Sequence, residues 1–361
     1  MIIFVSILIL IIGSRVAKTG EFYDDNFKTS QTNALKGLCA IYVVFHHLCT
    51  YFADVYSSFL FFESIGFLMV GMFFFISGYG LMYGVKNKEN YLKCFFTKRL
   101  LTILVPYYII DLFYIYSKHF VGILDKKYII LSIFGYHLWY VMAIIIMYIG
   151  FWLCFKLFGN KKGIIAMSIY TVIYVALLYI LNRFYGKADF GLWWYNSILC
   201  FVLGMWYCNY KEQINVIFKK YFLPLVALTT VIFCVTMYYT ALKYGESTLP
   251  LLLTEIVCSA SFSIFIILIS MKIQFGNKLI NICGKLSLEI YLSHALFIFF
   301  LRSNMVIFGY TVYVTNNLLY LTAIIVGTFV FSYAVHTVSQ LILKPYKKVK
   351  SSLNKPERVH S

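Results

Sequence analysis

Apolar runs recur along the whole chain, each close to the 17–25 residues that cross about 30 Å of hydrocarbon as a helix. They fall at residues 37–57, 64–84, 100–120, 136–158, 163–181, 191–209, 221–242, 249–271, 284–301 and 315–343, separated by polar connections. This pattern predicts an all-α protein, a polytopic transmembrane helical bundle of about ten spans. The last run is long enough to tilt or to end in an interfacial segment. The opening stretch MIIFVSILILIIG lacks a basic start and a good cleavage site. It reads as an extra short N-terminal hydrophobic span or a re-entrant anchor rather than a removed signal peptide.

The polar connections give the bundle a direction. Short cytoplasmic loops collect Lys and Arg. With the segment before residue 37 placed inside, the outer connections hold only Lys118, Lys126, Lys127, Arg183, Lys187, Lys243 and Arg302, and the inner segments hold the other 24 of the 31 basic residues. Both terminal segments are therefore expected in the cytoplasm. Composition agrees: 12% of residues are charged and 61% hydrophobic, against about 25% charged in a soluble domain. The net charge of +17 is then a topology signal, and a nucleic-acid partner is not expected; the expected surroundings are a lipid bilayer. No polar stretch is long enough to fold apart. The expected organisation is an N-terminal hydrophobic segment and lead-in over 1–30, one transmembrane domain over 31–345 and a basic tail over 346–361. Nine cysteines, an odd number without framework spacing, read as small apolar fillers, with no disulfide scaffold and no metal site expected.

Ionisable groups inside spans are costly and mark candidate functional sites. Here they are Lys36, His46, His47, Asp111, Glu255, Glu289 and His294, with Ser77 as a hydroxyl. A helix turns 100° per residue, so eleven residues return to within about 20° of the start, roughly 16 Å higher. Lys36 and His47 therefore share a face, whereas His46 points about 80° away from Lys36. Lys36 is expected at the cytoplasmic surface and His47 past the midplane. A snorkelling lysine above a histidine that packs against a neighbouring helix is the competing reading. Ser77-Gly78 is a small step at which another helix, or a ligand, can approach the backbone. Lys98 and Arg99 open the third span on the cytoplasmic side, where they could meet phosphates or serve topology alone. His294 lies about ten residues up its span, roughly 15 Å, near the expected depth of His47. The two histidines could line one cavity or make unrelated hydrogen bonds.

Taken together, these segments resemble the acyltransferase 3 family of membrane acyltransferases, which includes many bacterial surface-polysaccharide O-acetyltransferases. Lys36-Gly37 followed by His47 resembles its opening basic residue and the histidine eleven residues on. Phe74-Phe75-Ile76-Ser77-Gly78-Tyr79 resembles its second-span signature. Phe95-Phe96-Thr97-Lys98-Arg99 through Pro106-Tyr107-Tyr108 resembles the entry to its third span. Leu138-Trp139-Tyr140 with Tyr148, Phe201-Val202-Leu203-Gly204, and Leu286-Ser287 through Tyr291-Leu292-Ser293-His294 resemble later motifs. The resemblance runs from about residue 30 to 345. Lys36 stands where the family often has Arg, and provides a point charge without the bidentate fork. Thr102 and Ile103 occupy the stretch where a second Arg is common, and Ile144 and Ile145 replace an acidic pair.

The resemblance implies acetyl-CoA or another acyl-CoA as cytoplasmic donor, no metal, and a hydroxyl of a cell-surface glycan or glycolipid as acceptor, in a bacterial inner membrane. It implies His47 as the catalytic base, helped by Ser77 and His294, with Lys36, Lys98 and Arg99 binding the donor. Two other readings compete. A transporter or flippase for a lipid-linked glycan would use Lys36, Asp111, Glu255 and Glu289 as substrate or proton sites and should carry an inverted repeat; none is visible. A glycan polymerase should carry a long polar outer loop, and the outer connections are short.

Overall fold

The computed structural model describes residues 12–52, 62–93, 95–185, 191–243, 245–302, 305–307 and 310–353. The expectation for the N-terminal hydrophobic stretch falls almost wholly outside the described residues, as does the end of the basic tail. In chain order the elements are strand β1 (Arg15–Val16) and helices α1 (Thr29–Phe52), α2 (Gly66–Asn87), α3 (Phe95–Arg99), α4 (Leu101–Val121), α5 (Lys126–Ile133) and α6 (Trp139–Tyr185). A 3-10 turn at Leu192–Trp194 leads into α7 (Leu199–Asn209), α8 (Lys211–Lys220), α9 (Phe222–Leu242) and α10 (Leu249–Lys272). Strand β2 (Ile273–Gln274), α11 (Lys278–Lys285), α12 (Ser287–Phe300), the strands β3 (Met305–Ile307) and β4 (Tyr310–Val312), and α13 (Asn317–Leu353) complete the chain. The all-α class is as the hydropathy pattern predicts.

Helix occurs in each of the ten apolar intervals. Length and apolarity together qualify five of the described helical segments to cross a membrane, at 66–87, 136–184, 222–242, 249–272 and 317–346, or six if α11 and α12 are taken as one broken span. The interval at 191–209 shows why ten runs need not be ten crossings. Its helix α7 has 11 residues, a rise of about 17 Å, well short of the hydrocarbon thickness. The segment at 136–184 errs the other way. Gly159 sits at φ 68° and ψ −177° inside α6, a conformation open to glycine and strained for other residues. The two halves fold back on each other there. Tyr170 donates to the Ile146 carbonyl at 3.3 Å, and Thr171 lies 3.9 Å from the Met147 sulfur. A break here is what the gap between the 136–158 and 163–181 runs anticipates.

The described chain divides into two compact units, Met1–Leu92 with Ala143–Ser287 and Lys93–Met142 with Leu288–Ser361. In the first, two glycine pairs bring helices to backbone contact. A Cβ on Gly78 of α2 would lie 1.9 Å from the Phe201 carbonyl of α7, and one on Gly204 of α7 would lie 2.0 Å from the Phe75 carbonyl. Gly37 of α1 and Gly284 of α11 form the same reciprocal arrangement, with hypothetical Cβ atoms 2.2 Å from the Ile280 carbonyl and 1.8 Å from the Asn33 carbonyl. Small residues are what such close approach requires. The N-terminal segment is tied to the same region. β1 pairs antiparallel with β2, and the Gln31 side chain both donates to the Phe275 carbonyl at 3.0 Å and accepts from its N–H at 2.9 Å. At the periphery, α9 packs on α10 and turns Leu223, Leu228, Val231, Val235, Tyr238 and Leu242 outward. An uncovered apolar helix of this kind suits lipid and not water.

The second unit is built on α4, α12 and α13. Tyr114 donates to the Leu292 carbonyl at 3.0 Å, Tyr320 to the Ile298 carbonyl at 2.9 Å, and the Ser293 and Ser332 hydroxyls lie 2.9 Å apart. Arg302 at the end of α12 lies 3.9 Å over the Tyr320 ring and donates to the Val314 carbonyl.

Candidate active site

Lys36 and His47 both lie on α1, a continuous 24-residue helix, so the shared face deduced from their eleven-residue separation is preserved. Lys36 is half-buried and His47 is exposed. The neighbouring His46 is engaged otherwise. Its Nδ1 lies 3.0 Å from the Phe62 carbonyl, and a carbonyl can only accept, so Nδ1 is the donor. Its ring also fills the space over Gly66, where a Cβ would come within 2.5 Å of it. The two imidazoles meet edge to face at 4.9 Å between centroids. Of the pair, His46 is committed to joining α1 to the start of α2, while His47 occupies the Lys36 side of the helix.

Ser77 is half-buried on α2, one residue before the glycine that takes the α7 backbone. The Ser-Gly step is therefore a helix-packing device. Two of the segments carrying the family resemblance, Ser77-Gly78 and Phe201 to Gly204, are the two sides of one contact. Lys36-Gly37 and the Gly284 that precedes Leu286-Ser287 are the two sides of the other. Lys36 and Ser77 thus each stand beside a close backbone contact, which limits how far their helices can shift.

Lys36, His47 and Ser77 belong to the first unit; Lys98, Arg99 and His294 belong to the second. Lys98 and Arg99 end the five-residue helix α3 and are half-buried. Thr102 donates to their carbonyls, at 2.8 Å to Arg99 and 3.3 Å to Lys98. It holds the turn into α4. His294 is buried on α12, with Nδ1 3.1 Å from the Ile290 carbonyl one turn earlier. That bond makes Nδ1 the donor and leaves Nε2 as the lone-pair nitrogen of the neutral ring. The Tyr291 ring is 6.0 Å from that of His294 and 5.1 Å from that of Tyr140.

The three carboxylates flagged within spans each have a local partner. Asp111 is buried beside the hydroxyls of Ser132 and Tyr107, which donate to the carbonyls of Ile129 and Ser132 respectively. Glu255 accepts from Asn196 Nδ2 at 3.0 Å, and Glu289 Oε1 lies 2.8 Å from His336 Nδ1. His336 and Asn196 are groups that sequence reasoning missed. His336 was detectable as one more ionisable residue in the last apolar run, and Asn196 as an amide at the interruption of a short one. Buried polar groups in membrane helices are stabilised by such interhelical pairing. Among the described residues no group of three His, Cys, Asp or Glu side chains could hold a metal ion, and most cysteines are buried.

A family model for an acyltransferase domain, acyltransferase 3, matches residues 30–337. Neither a curated protein nor a solved structure matches the chain. The matched region contains every candidate named above, from Lys36 to His294, together with both reciprocal glycine contacts. With the apolar helices, it makes the protein a membrane acyltransferase in general terms. The chain belongs to the acyltransferase 3 family.

Proposed function

We propose that this protein transfers an acyl group, most simply acetyl, from cytoplasmic acyl-CoA to a hydroxyl of a cell-surface glycan or glycolipid, with both terminal segments in the cytoplasm of a bacterial inner membrane. The observation that carries the reading is the division of labour on α1. His46 is spent on the Phe62 carbonyl and Gly66, and His47 lies on the Lys36 face of the same uninterrupted helix. An imidazole suits this work because its ordinary pKa lies near neutrality.

In this mechanism the His47 imidazole takes the proton of the acceptor hydroxyl as its oxygen attacks the thioester carbonyl. A tetrahedral oxyanion forms. Ser77 supplies a hydrogen bond to it; His294, whose Nε2 can only accept, is left the role of orienting the acceptor hydroxyl. Collapse breaks the C–S bond, the CoA thiolate leaves and takes up the proton from His47, and the products are an O-acyl ester and free CoA. Lys36, Lys98 and Arg99 add positive charge at the cytoplasmic surface that favours an anionic donor.

The test is acyl transfer from labelled acyl-CoA by His47→Ala and His46→Ala variants in membranes at matched expression, with acylated glycan read by mass spectrometry. His47→Ala is expected to lose about 10²–10⁴-fold, the usual contribution of a general base. His46→Ala is expected to lower stability while retaining turnover. Full activity in His47→Ala, or loss of chemistry confined to His46→Ala in a folded protein, overturns the assignment.

A further inference from the structure

One cavity lies outside the residues used above. It is half-open, has a volume of about 360 Å³ and is lined entirely by residues of the first unit, between the end of α2 and the α7–α8 junction. Its walls include Tyr79, Tyr83, Lys86, Lys211 and Glu212. By the Lys and Arg distribution, both chain segments that form it are cytoplasmic.

The two lysines are held differently. Lys86 Nζ donates to the carbonyls of Cys208 and Asn209, at 3.4 and 3.1 Å. These are among the last carbonyls of α7, which lack intrahelical partners, so the ammonium is fixed in the cavity wall as a helix cap. Lys211 is half-buried and makes no hydrogen bond or ion pair with the described residues. The carboxylates that attract it through space are Asp24 and Asp25, and each is engaged elsewhere, Asp24 by Lys219 and Asp25 by Lys28. Their attraction does not offset the loss of hydration, and burial holds the Lys211 ammonium below the usual lysine pKa. A partly desolvated cation without a counter-ion is a cost that an anionic ligand relieves. Lys211 is also the first residue of α8, whose start carries no side-chain cap, so amide donors of its first turn add to the field of the two ammonium groups.

The α2 wall that carries Lys86 is also aromatic. Tyr79 is buried and Tyr83 is 51% exposed, and their rings are nearly parallel, 16° apart in plane. Tyr83 thus offers ring surface to a planar partner, one turn before Lys86 on the same helix. Two ammonium groups and an exposed aromatic ring in one cavity match a base-bearing phosphorylated ligand. Glu212, exposed at the rim, opposes the anion and gives the site a sign that can be tested.

We propose that this cavity binds the phosphorylated nucleotide end of the acyl donor, with its phosphates on Lys86, Lys211 and the first amides of α8 and its base against Tyr83. The inference rests on the reading of acyl-CoA as donor and adds residues to it. An anionic lipid headgroup offers the same phosphate chemistry, and the test separates the two.

Binding is measured on the purified full chain by calorimetry with adenosine 3′,5′-bisphosphate. In parallel, the chain is reconstituted in nanodiscs of phosphatidylcholine with and without phosphatidylglycerol. Wild type binds the nucleotide; Lys211→Ala weakens binding by tenfold or more; Lys211→Arg retains most of it; Glu212→Gln tightens it. Tyr83→Ala weakens the nucleotide several-fold and leaves inorganic pyrophosphate unchanged. Equal nucleotide affinity in wild type and Lys211→Ala, with Lys211→Ala monodisperse, overturns the inference even if wild type transfers acyl groups normally. A Lys211-dependent preference for phosphatidylglycerol without nucleotide binding assigns the cavity to lipid and also overturns it. Failure of the donor reading has a separate signature, wild-type protein that consumes no acyl-CoA.

Discussion

Substitution of Gly78 by Ala tests whether the close contact between α2 and α7 sets the geometry of the Ser77 region. The added Cβ would lie 1.9 Å from the Phe201 carbonyl oxygen, where real Cβ atoms essentially never come within 3.0 Å. Backbone stands on the other side of the clash, so no side chain can rotate away, and the helices must separate by about 1 Å. Overpacking of this kind costs about 1–3 kcal/mol. The reciprocal Gly204→Ala should cost a similar amount, since its Cβ would meet the Phe75 carbonyl at 2.0 Å. The two are neighbours on one interface, so their effects should not add. Once either alanine has moved the helices apart, the other meets less resistance, and the double variant should be less destabilised than the sum by on the order of 1 kcal/mol. Thermal unfolding of wild type, both single variants and the double variant in one detergent measures the cycle. Acyl transfer measured alongside should fall more steeply than stability, because a misplacement of about 1 Å can cost about 100-fold in rate. A Gly78→Ala protein that melts with wild type, or strictly additive losses, would refute the reasoning.

Further outcomes follow from the break in α6 and from the buried pairs. Gly159→Ala should lose about 1–3 kcal/mol through its positive φ and extended ψ alone, a region essentially confined to glycine, because no atom lies within 4 Å of the added Cβ; an unchanged melting temperature argues against the hairpin. Asn196→Leu removes the amide that donates to Glu255 and should destabilise by about 1–3 kcal/mol, with Glu255→Gln in the same background recovering part of the loss in the same melting assay. His336→Ala should similarly expose Glu289 as an unpaired acid, and the loss should shrink when Glu289→Gln is added; equal losses in both backgrounds would show that the pair is not coupled.

The extent of helix was written in the hydropathy pattern, because burial in lipid and burial in protein both demand apolar side chains at helical length. The crossing number was less accessible for that same reason. α7 is apolar throughout yet has only 11 residues, and hydropathy does not say whether such a helix crosses lipid or fills a protein core. The break at Gly159 was visible, since a glycine followed by Asn160, Lys161 and Lys162 interrupts two apolar runs. The shared face of Lys36 and His47 followed from helical geometry alone, and their helix is unbroken; the contact of His46 with the Phe62 carbonyl was not legible. Partners could not be read. Glu255 meets Asn196 across 59 residues and Glu289 meets His336 across 47, and nothing in one chain's spacing encodes which distant amide or imidazole answers a buried acid. The strand pairing of β1 with β2 was equally silent, because two residues on each side carry no period.

The contact between Gly37 and Gly284 also sets a timetable for biosynthesis. The helix that carries Lys36 and His47 is made well before the backbone it packs against, which arrives nearly 250 residues later. The Gln31–Phe275 bonds span 244 residues. At about 5–20 residues per second, α1 waits roughly 10–50 s in the insertion machinery or the bilayer for its partner. During that interval a half-built chain carries the candidate base without the scaffold that orients it. Acyl transfer therefore cannot begin on the nascent protein, and any truncation upstream of Gly284 should yield membrane-inserted helices with no first unit to hold them.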